Sequence, residues 1–525
     1  MIKKNVIFLL VLAAIACNLP AYSAQVPTLP PAQTPILITP TPEIPTATPT
    51  PEQPAYTPVF EATACRFAVP EDTTPRCGDV IVPEDRMNPA GRQVRLHTAI
   101  WRSPSPDRQP DPVILLSGGP GSSALALAGY IFSAGIGEVT ARRDLILFDQ
   151  RGTGESDPAL NCPEREAITA QLLAPGLTLD QSSALALEAY HQCHDRLVAE
   201  GINLAMYNSA ASAADVNDIR RALGYEQINL YGTSYGTRLA LTVMRDHPEG
   251  VRSVVLDSVY PPQFDLYTSL PANAERAITA LFDACAADAD CAARYPNIKA
   301  KFYALVNQLN ESPQVVTITD PNTGQPVDIL FNGGLLIDTV FVGLYPPFFI
   351  GRVPLLISEV ERGNYYSSLP ARLQLYFDQS SARGMQLSVQ CHEEIPFGSI
   401  KMLDSQSQSV QAEVKNYFRS GLQGLYQTCA FWGAGQPDPV ENQPVSSDIQ
   451  TLLLTGRFDP ITPPEWAAQA AQTLSHSTVY EFPNSGHWQV RYGRCPVGIM
   501  LAFLQDPFNT PDGSCIDGLG GVNFE

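Results

Sequence analysis

Hydrophobic residues in this chain gather into short, nearly uninterrupted runs separated by longer stretches in which apolar positions recur every three or four residues. The runs fall at residues 112–116, 144–148, 228–231, 254–257, 450–455 and 478–482. Runs of this length predict strands buried on both faces, and the helical spacing between them predicts a mostly parallel sheet covered by helices on both sides. After residue 257 the alternation breaks. From 263 to 446 the pattern is mainly helical, with helices expected over 272–293 and 298–310 and one hairpin over 315–331 turning around Asp320-Pro321-Asn322-Thr323-Gly324. The folded part therefore reads as a core (61–262), an inserted cap (263–446), and a return to the core (447–525) that brings the last two strands.

Glycines and chemically active residues stand at the ends of these runs. Gly232-Thr233-Ser234-Tyr235-Gly236 joins the run 228–231 to a helical stretch at 237–247. A serine between two glycines at a strand–helix junction is the layout of a nucleophile elbow, a turn so tight that only small residues fit two positions either side. Ser117-Gly118-Gly119-Pro120-Gly121 follows the first run. Backbone N–H groups at Gly118 and Gly119, with that of Tyr235, are the expected oxyanion hole. Pro120 lacks the N–H that cradling a phosphate would use, so a dinucleotide site is not the reading. Downstream, Asp459 follows the strand at 450–455, and His487 lies in Gly486-His487-Trp488 after the strand at 478–482. The order Ser234, Asp459, His487 is that of an α/β-hydrolase and differs from the two other common serine protease orders. Asp257, at the end of an earlier strand, is the alternative acid.

These segments resemble the peptidase family of prolyl iminopeptidases and secreted tripeptidyl aminopeptidases, the latter branch most of all. The matching pieces are Gly118-Gly119-Pro120-Gly121, Asp149-Gln150-Arg151-Gly152-Thr153-Gly154, residues 215–236, Val255-Leu256-Asp257, and the Asp459 and His487 segments. Ser117 departs from the pattern, since many relatives have histidine there. The resemblance implies an α/β-hydrolase fold with a largely helical cap, a Ser-His-Asp peptidase acting on short peptides with a free N-terminus, and no metal or organic cofactor. It favours Asp459 over Asp257, because Asp459-Pro460 matches the family's context. An acidic residue two positions after a cap cysteine, in Cys391-His392-Glu393-Glu394, is implied as the acceptor of the substrate ammonium, selecting Glu393 with Glu394 beside it. Two alternatives stand: an esterase or lactonase on the same scaffold, and an inactive, surface-tethered peptide-binding protein.

Composition adds compartment and excludes some partners. A formal charge of −20 argues against nucleic acid. Lys3 and Lys4 followed by an apolar stretch over 6–16 form an export signal within residues 1–24, too short to span a bilayer. Within it, Ala14-Ile15-Ala16-Cys17 fits a bacterial lipoprotein box that ends the signal at residue 16 and makes Cys17 a lipidated membrane anchor. Cleavage after Ser23 is the alternative. Residues 25–60 hold eleven prolines and no Lys, Arg or Gly, the composition of an extended, disordered spacer. Ten cysteines remain after Cys17, and in an exported chain they are expected to pair with their neighbours: Cys65–Cys77, Cys162–Cys193, Cys285–Cys291, Cys391–Cys429 and Cys495–Cys515. Zinc is disfavoured, since no pair has Cys-x-x-Cys spacing.

Overall fold

The computed structural model describes residues 56–366 and 376–525. The export signal, Cys17 and most of the proline-rich stretch lie outside them. In chain order the first strands are β1 (Val59–Ala62), β2 (Arg76–Pro83), β3 (Gln93–Trp101), β4 (Val113–Leu116), β5 (Leu145–Phe148), β6 (Ile228–Thr233) and β7 (Val251–Asp257). The cap hairpin supplies β8 (Gln314–Thr319) and β9 (Pro326–Phe331), and the core resumes with β10 (Gln450–Gly456) and β11 (Ser477–Phe482). The main sheet has the order β1-β2-β3-β5-β4-β6-β7-β10-β11. From β5 onward neighbours are parallel, and β1, β2 and β3 join antiparallel at one end.

Residue alternation along these strands explains the uninterrupted apolar runs. Ile114, Leu116, Leu230, Val254, Leu256 and Leu453 enter a core on one face, under helices Ser209–Ala222, Tyr235–Asp246 and Pro464–Ala471. Val113, Leu115, Tyr231, Val255, Leu452 and Leu454 enter a core on the other, under Ala128–Ser133 and Arg494–Gln505. A strand sandwiched this way has no solvent face on which a polar residue is cheaper than an apolar one.

The cap lies between β7 and β10 and has its own hydrophobic core, built on helices Leu266–Ala287, Ile298–Glu311, Gly333–Gly343, Val353–Glu361 and Ala412–Trp432. The first of these starts before the expected residue 272, because Asp265 caps it by accepting from Thr268 N at 2.7 Å and Leu266, Tyr267 and Leu270 are buried. Pro271 is carried inside the helix.

Two boundaries differ from those expected. Residues 59 and 60 are not spacer: Val59 and Phe60 pair with Ile81 and Val80, and Tyr56 is held by Asp218 and Arg86, so the ordered chain begins earlier. Part of the roof also comes from the segment assigned to the core. Helix Leu179–Ala199, in the crossover from β5 to β6, buries Tyr190, Cys193 and Leu197 against Met385, Leu387 and Trp432 of the cap. Those side chains have no sheet face to cover, so they form a core with the cap instead.

Five disulfides join Cys65 to Cys77, Cys162 to Cys193, Cys285 to Cys291, Cys391 to Cys429 and Cys495 to Cys515. No helix among the described residues is long and apolar enough to cross a membrane.

Candidate active site

Ser234 ends the central strand β6 and opens helix Tyr235–Asp246. Its backbone sits at φ +56° and ψ −126°, a region that non-glycine residues occupy only where their surroundings enforce it. The enforcement is steric. A Cβ on Gly232 would lie 2.4 Å from the Gly236 carbonyl oxygen, and one on Gly236 would lie 2.0 Å from that of Leu116. A Cβ on Gly118 would come within 3.0 Å of the Ser234 Cβ, so the glycine loop after β4 lies directly against the serine. The N-terminal N–H groups of a helix lack intrahelical acceptors, and that of Tyr235 is the first in this one.

Asp149 at the end of β5 holds the loop in place. It accepts from the Ser123 hydroxyl at 2.8 Å, Leu125 N at 3.1 Å and Glu155 N at 2.8 Å. Complete burial nevertheless pushes its pKa up to about 6, with those donors pulling the other way. Gln150 adds a bond from its amide to the Ser117 carbonyl at 2.9 Å. Arg151 points away from this turn and forms a bidentate pair with Asp215, with both distances 2.7 Å.

His487 reaches the same place from the other end of the sheet. Its Nδ1 lies 2.7 Å from Asp459 Oδ2, and its own N–H donates to the Tyr345 carbonyl of the cap at 2.9 Å. Asp459 is fully buried and also accepts from Ile461 N at 3.0 Å, Thr462 N at 2.9 Å and the Thr462 hydroxyl at 2.7 Å. Asp257 does not touch the imidazole through a hydrogen bond. It accepts from Gln489 N at 2.7 Å, Val490 N at 2.9 Å and the Tyr231 hydroxyl at 2.9 Å, which fixes the loop just after His487. Burial pushes its pKa up to about 6. Ser234 and His487 line one cavity with Gly118, Gly119, Tyr345 and Trp488, and the Nε2 of His487 has no hydrogen-bond partner among the described residues.

Residues 111–278, which contain the serine turn, match the family described as alpha/beta hydrolase fold, and residues 415–515, which contain Asp459 and His487, match the family described as TAP-like protein. The serine protease Hip1 of Mycobacterium tuberculosis is 27% identical over 491 residues, covering 86% of this chain and 90% of that protein. The chain belongs to the α/β-hydrolase peptidase family. A tripeptidyl aminopeptidase of Streptomyces coelicolor is 33% identical over 197 residues, 36% of each chain. A thermophilic esterase from Thermogutta terrifontis is similar in structure, at 15% identity and a TM-score of 0.37 over 82% of this chain and 99% of that one. The two family models and the curated relatives make the protein a serine hydrolase of the peptidase type on an α/β-hydrolase scaffold.

In this α/β-hydrolase peptidase Glu393 and Glu394 are not where a substrate ammonium would meet them. Both are buried and line neither the cavity at Ser234 nor the larger cap cavity described below. Glu393 accepts from Ser209 N at 2.5 Å, the Ser209 hydroxyl at 2.7 Å and Arg238 Nε at 2.9 Å. Glu394 is bound by Tyr260, by Leu266 N at 3.0 Å and by Arg238 at 3.2 Å. One guanidinium on the helix after Ser234 therefore ties down two cap carboxylates, and the pair serves the core–cap junction. Burial pushes Glu394 up to about 8, with Arg238 pulling the other way and the charge of Asp265 adding to the rise.

Sequence reasoning missed Thr462 and Tyr345. Thr462 follows Asp459 by three residues and turns its hydroxyl back onto the carboxylate, a local turn signature that the run Asp459-Pro460-Ile461-Thr462 carries. Tyr345 packs its ring 4.9 Å from that of His487 and has no local signature, because it arrives from the cap.

Proposed function

We propose that this protein is an exported serine peptidase that cleaves short peptides from a free N-terminus through Ser234, His487 and Asp459. The observation that carries this reading is the state of His487: Nδ1 is held by a buried carboxylate at 2.7 Å, while Nε2 has no hydrogen-bond partner among the described residues, Ser234 included, and His487 and Ser234 line one cavity. Asp459 fixes the tautomer with its proton on Nδ1, leaving Nε2 to take the hydroxyl proton as Ser234 Oγ attacks the scissile carbonyl. Negative charge forming on the carbonyl oxygen is held by N–H groups of Tyr235 and of Gly118 or Gly119, each such donor contributing about 3 kcal/mol. The imidazolium then gives its proton to the departing amine, and water hydrolyses the acyl-enzyme by the same route in reverse.

The preference for a free N-terminus rests on the relatives and on the cap. The larger cap cavity has one carboxylate among its described lining residues, Asp338, which is buried and accepts from the Tyr376 hydroxyl at 2.8 Å. A substrate ammonium placed there gains a charge-assisted hydrogen bond. Export is supported by five disulfides, which persist in oxidising compartments. Anchoring through Cys17 is part of the proposal, and mass spectrometry of the mature N-terminus tests it.

A fluorophosphonate probe should label Ser234. Chromogenic tripeptides with a free amine should be cleaved faster than the same peptides N-acylated, or than free proline derivatives. Labelling without any peptide cleavage, together with fast turnover of aryl esters, would replace the peptidase reading with an esterase one.

A further inference from the structure

The cap carries a second cavity of about 1290 Å³, its open mouth included, roofed by helices Leu179–Ala199, Arg383–Glu393 and Ala412–Trp432. Among the described residues that line it are two arginines, Arg165 and Arg383, against one aspartate. Arg383 is only 3% exposed, and among the described residues its Nε has no hydrogen-bond partner and it forms no ion pair. Arg165 donates through Nη1 to the Thr169 hydroxyl at 3.3 Å, but its Nε is likewise without a partner among the described residues. Glu166 lies near enough to feel both charges yet pairs with neither. A guanidinium removed from water without a hydrogen-bonded counter-ion costs several kcal/mol, a cost that water or an anion in the cavity offsets.

The position is as informative as the charge. Ala382, the residue before Arg383, donates its N–H to the Gly121 carbonyl at 2.9 Å, and Ser381 bridges to Ser122. Arg383 thus stands one residue beyond the backbone tie between the cap and the glycine loop that lies against Ser234. We propose that this cavity holds a carboxylate of the peptide substrate between Arg383 and Arg165, so that the enzyme selects acidic peptides over their neutral isosteres. Arginine suits the role because its planar fork matches a carboxylate and stays charged when buried. The inference rests on the peptidase reading for its substrate class. The carboxylate can come from an Asp or Glu side chain or from the C-terminus of a short peptide.

The test compares tripeptide substrates carrying Glu or Gln at each position in turn, and free or amidated C-termini, in the full protein and in Arg383→Gln, Arg383→Lys and Arg165→Gln. The quantity read is the ratio of kcat/KM for each acidic and neutral pair within one protein, which cancels any loss of folded enzyme. Wild type should favour one acidic member by on the order of tenfold or more, as charge-assisted hydrogen bonds imply. Arg383→Gln should bring that ratio close to one, with Arg383→Lys between. A preference confined to the free C-terminus supports the site and identifies the carboxylate's source. A wild-type ratio near one for every pair, or a ratio unchanged in Arg383→Gln, overturns the inference while leaving the peptidase reading intact. Should only esters be hydrolysed, the peptidase reading fails, and the same peptides serve as inhibitors of ester turnover. A tenfold tighter inhibition by the acidic member then supports the carboxylate site, and equal inhibition overturns it.

Discussion

Replacing Asp459 by asparagine tests the proposed triad at its most specific point. The carboxylate accepts four hydrogen bonds: Oδ1 takes Ile461 N and Thr462 N, at 3.0 and 2.9 Å, and Oδ2 takes the Thr462 hydroxyl and His487 Nδ1, both at 2.7 Å. An asparagine must keep its carbonyl oxygen on the two backbone donors, because its amide nitrogen cannot accept from them. Its NH2 then faces His487 Nδ1 as a donor, which moves the imidazole proton to Nε2. In that tautomer Nε2 cannot take the Ser234 proton. The size of the loss follows from the same substitution in other serine proteases, about 10⁴ in kcat, or about 5.5 kcal/mol of transition-state stabilisation. KM should change little, since Asp459 is fully buried and does not meet substrate. Steady-state turnover of an aryl ester and of a free tripeptide, with circular dichroism to verify folding, measures it. A variant within tenfold of wild type, or an Asp257→Asn variant that loses more than Asp459→Asn while folding normally, would refute the assignment of the acid.

Three further outcomes follow from packing and charge. Gly236→Ala forces a methyl to 2.0 Å from the Leu116 carbonyl and should destabilise by about 3 kcal/mol or prevent folding, whereas Gly129→Ala, with nothing within 4 Å, should be neutral in the same denaturant titration. Asp215→Asn strips buried Arg151 of its ion pair at 2.7 Å and leaves buried Arg86 with Asp218 alone, at 2.8 Å, and should lower stability by about 3–5 kcal/mol at neutral pH. Glu394 has a folded pKa of about 8 against an ordinary 4.5, so the native state keeps a proton that the unfolded chain has released between those values. Its contribution is therefore complete below about pH 4.5 and is lost as pH rises through 8, on the order of 5 kcal/mol in all. Glu394→Gln should flatten that slope in melts recorded from pH 5 to 8.5, and an unchanged slope would show that the group is ionised throughout.

The sequence alone determined the six parallel strands of the sheet, the serine turn and the order in which Ser234, Asp459 and His487 occur, because each depends on local rules. A strand buried on both faces must be apolar throughout, and a turn as tight as that at Ser234 admits only glycine at 232 and 236. Thr462 was legible in the same way, as a hydroxyl three residues after an aspartate, although it was overlooked. What only the tertiary structure decided are the contacts between distant segments. Glu393 and Glu394 read as acceptors of a substrate ammonium until Arg238, 155 positions away from Glu393, is seen to hold both. Tyr345 reaches His487 from the cap, and Arg383 reaches the edge of the glycine loop through Ala382 and Gly121. A charged side chain has no intrinsic preference that reveals its partner; its role is set by which opposite charge, or which absence of one, the fold brings beside it.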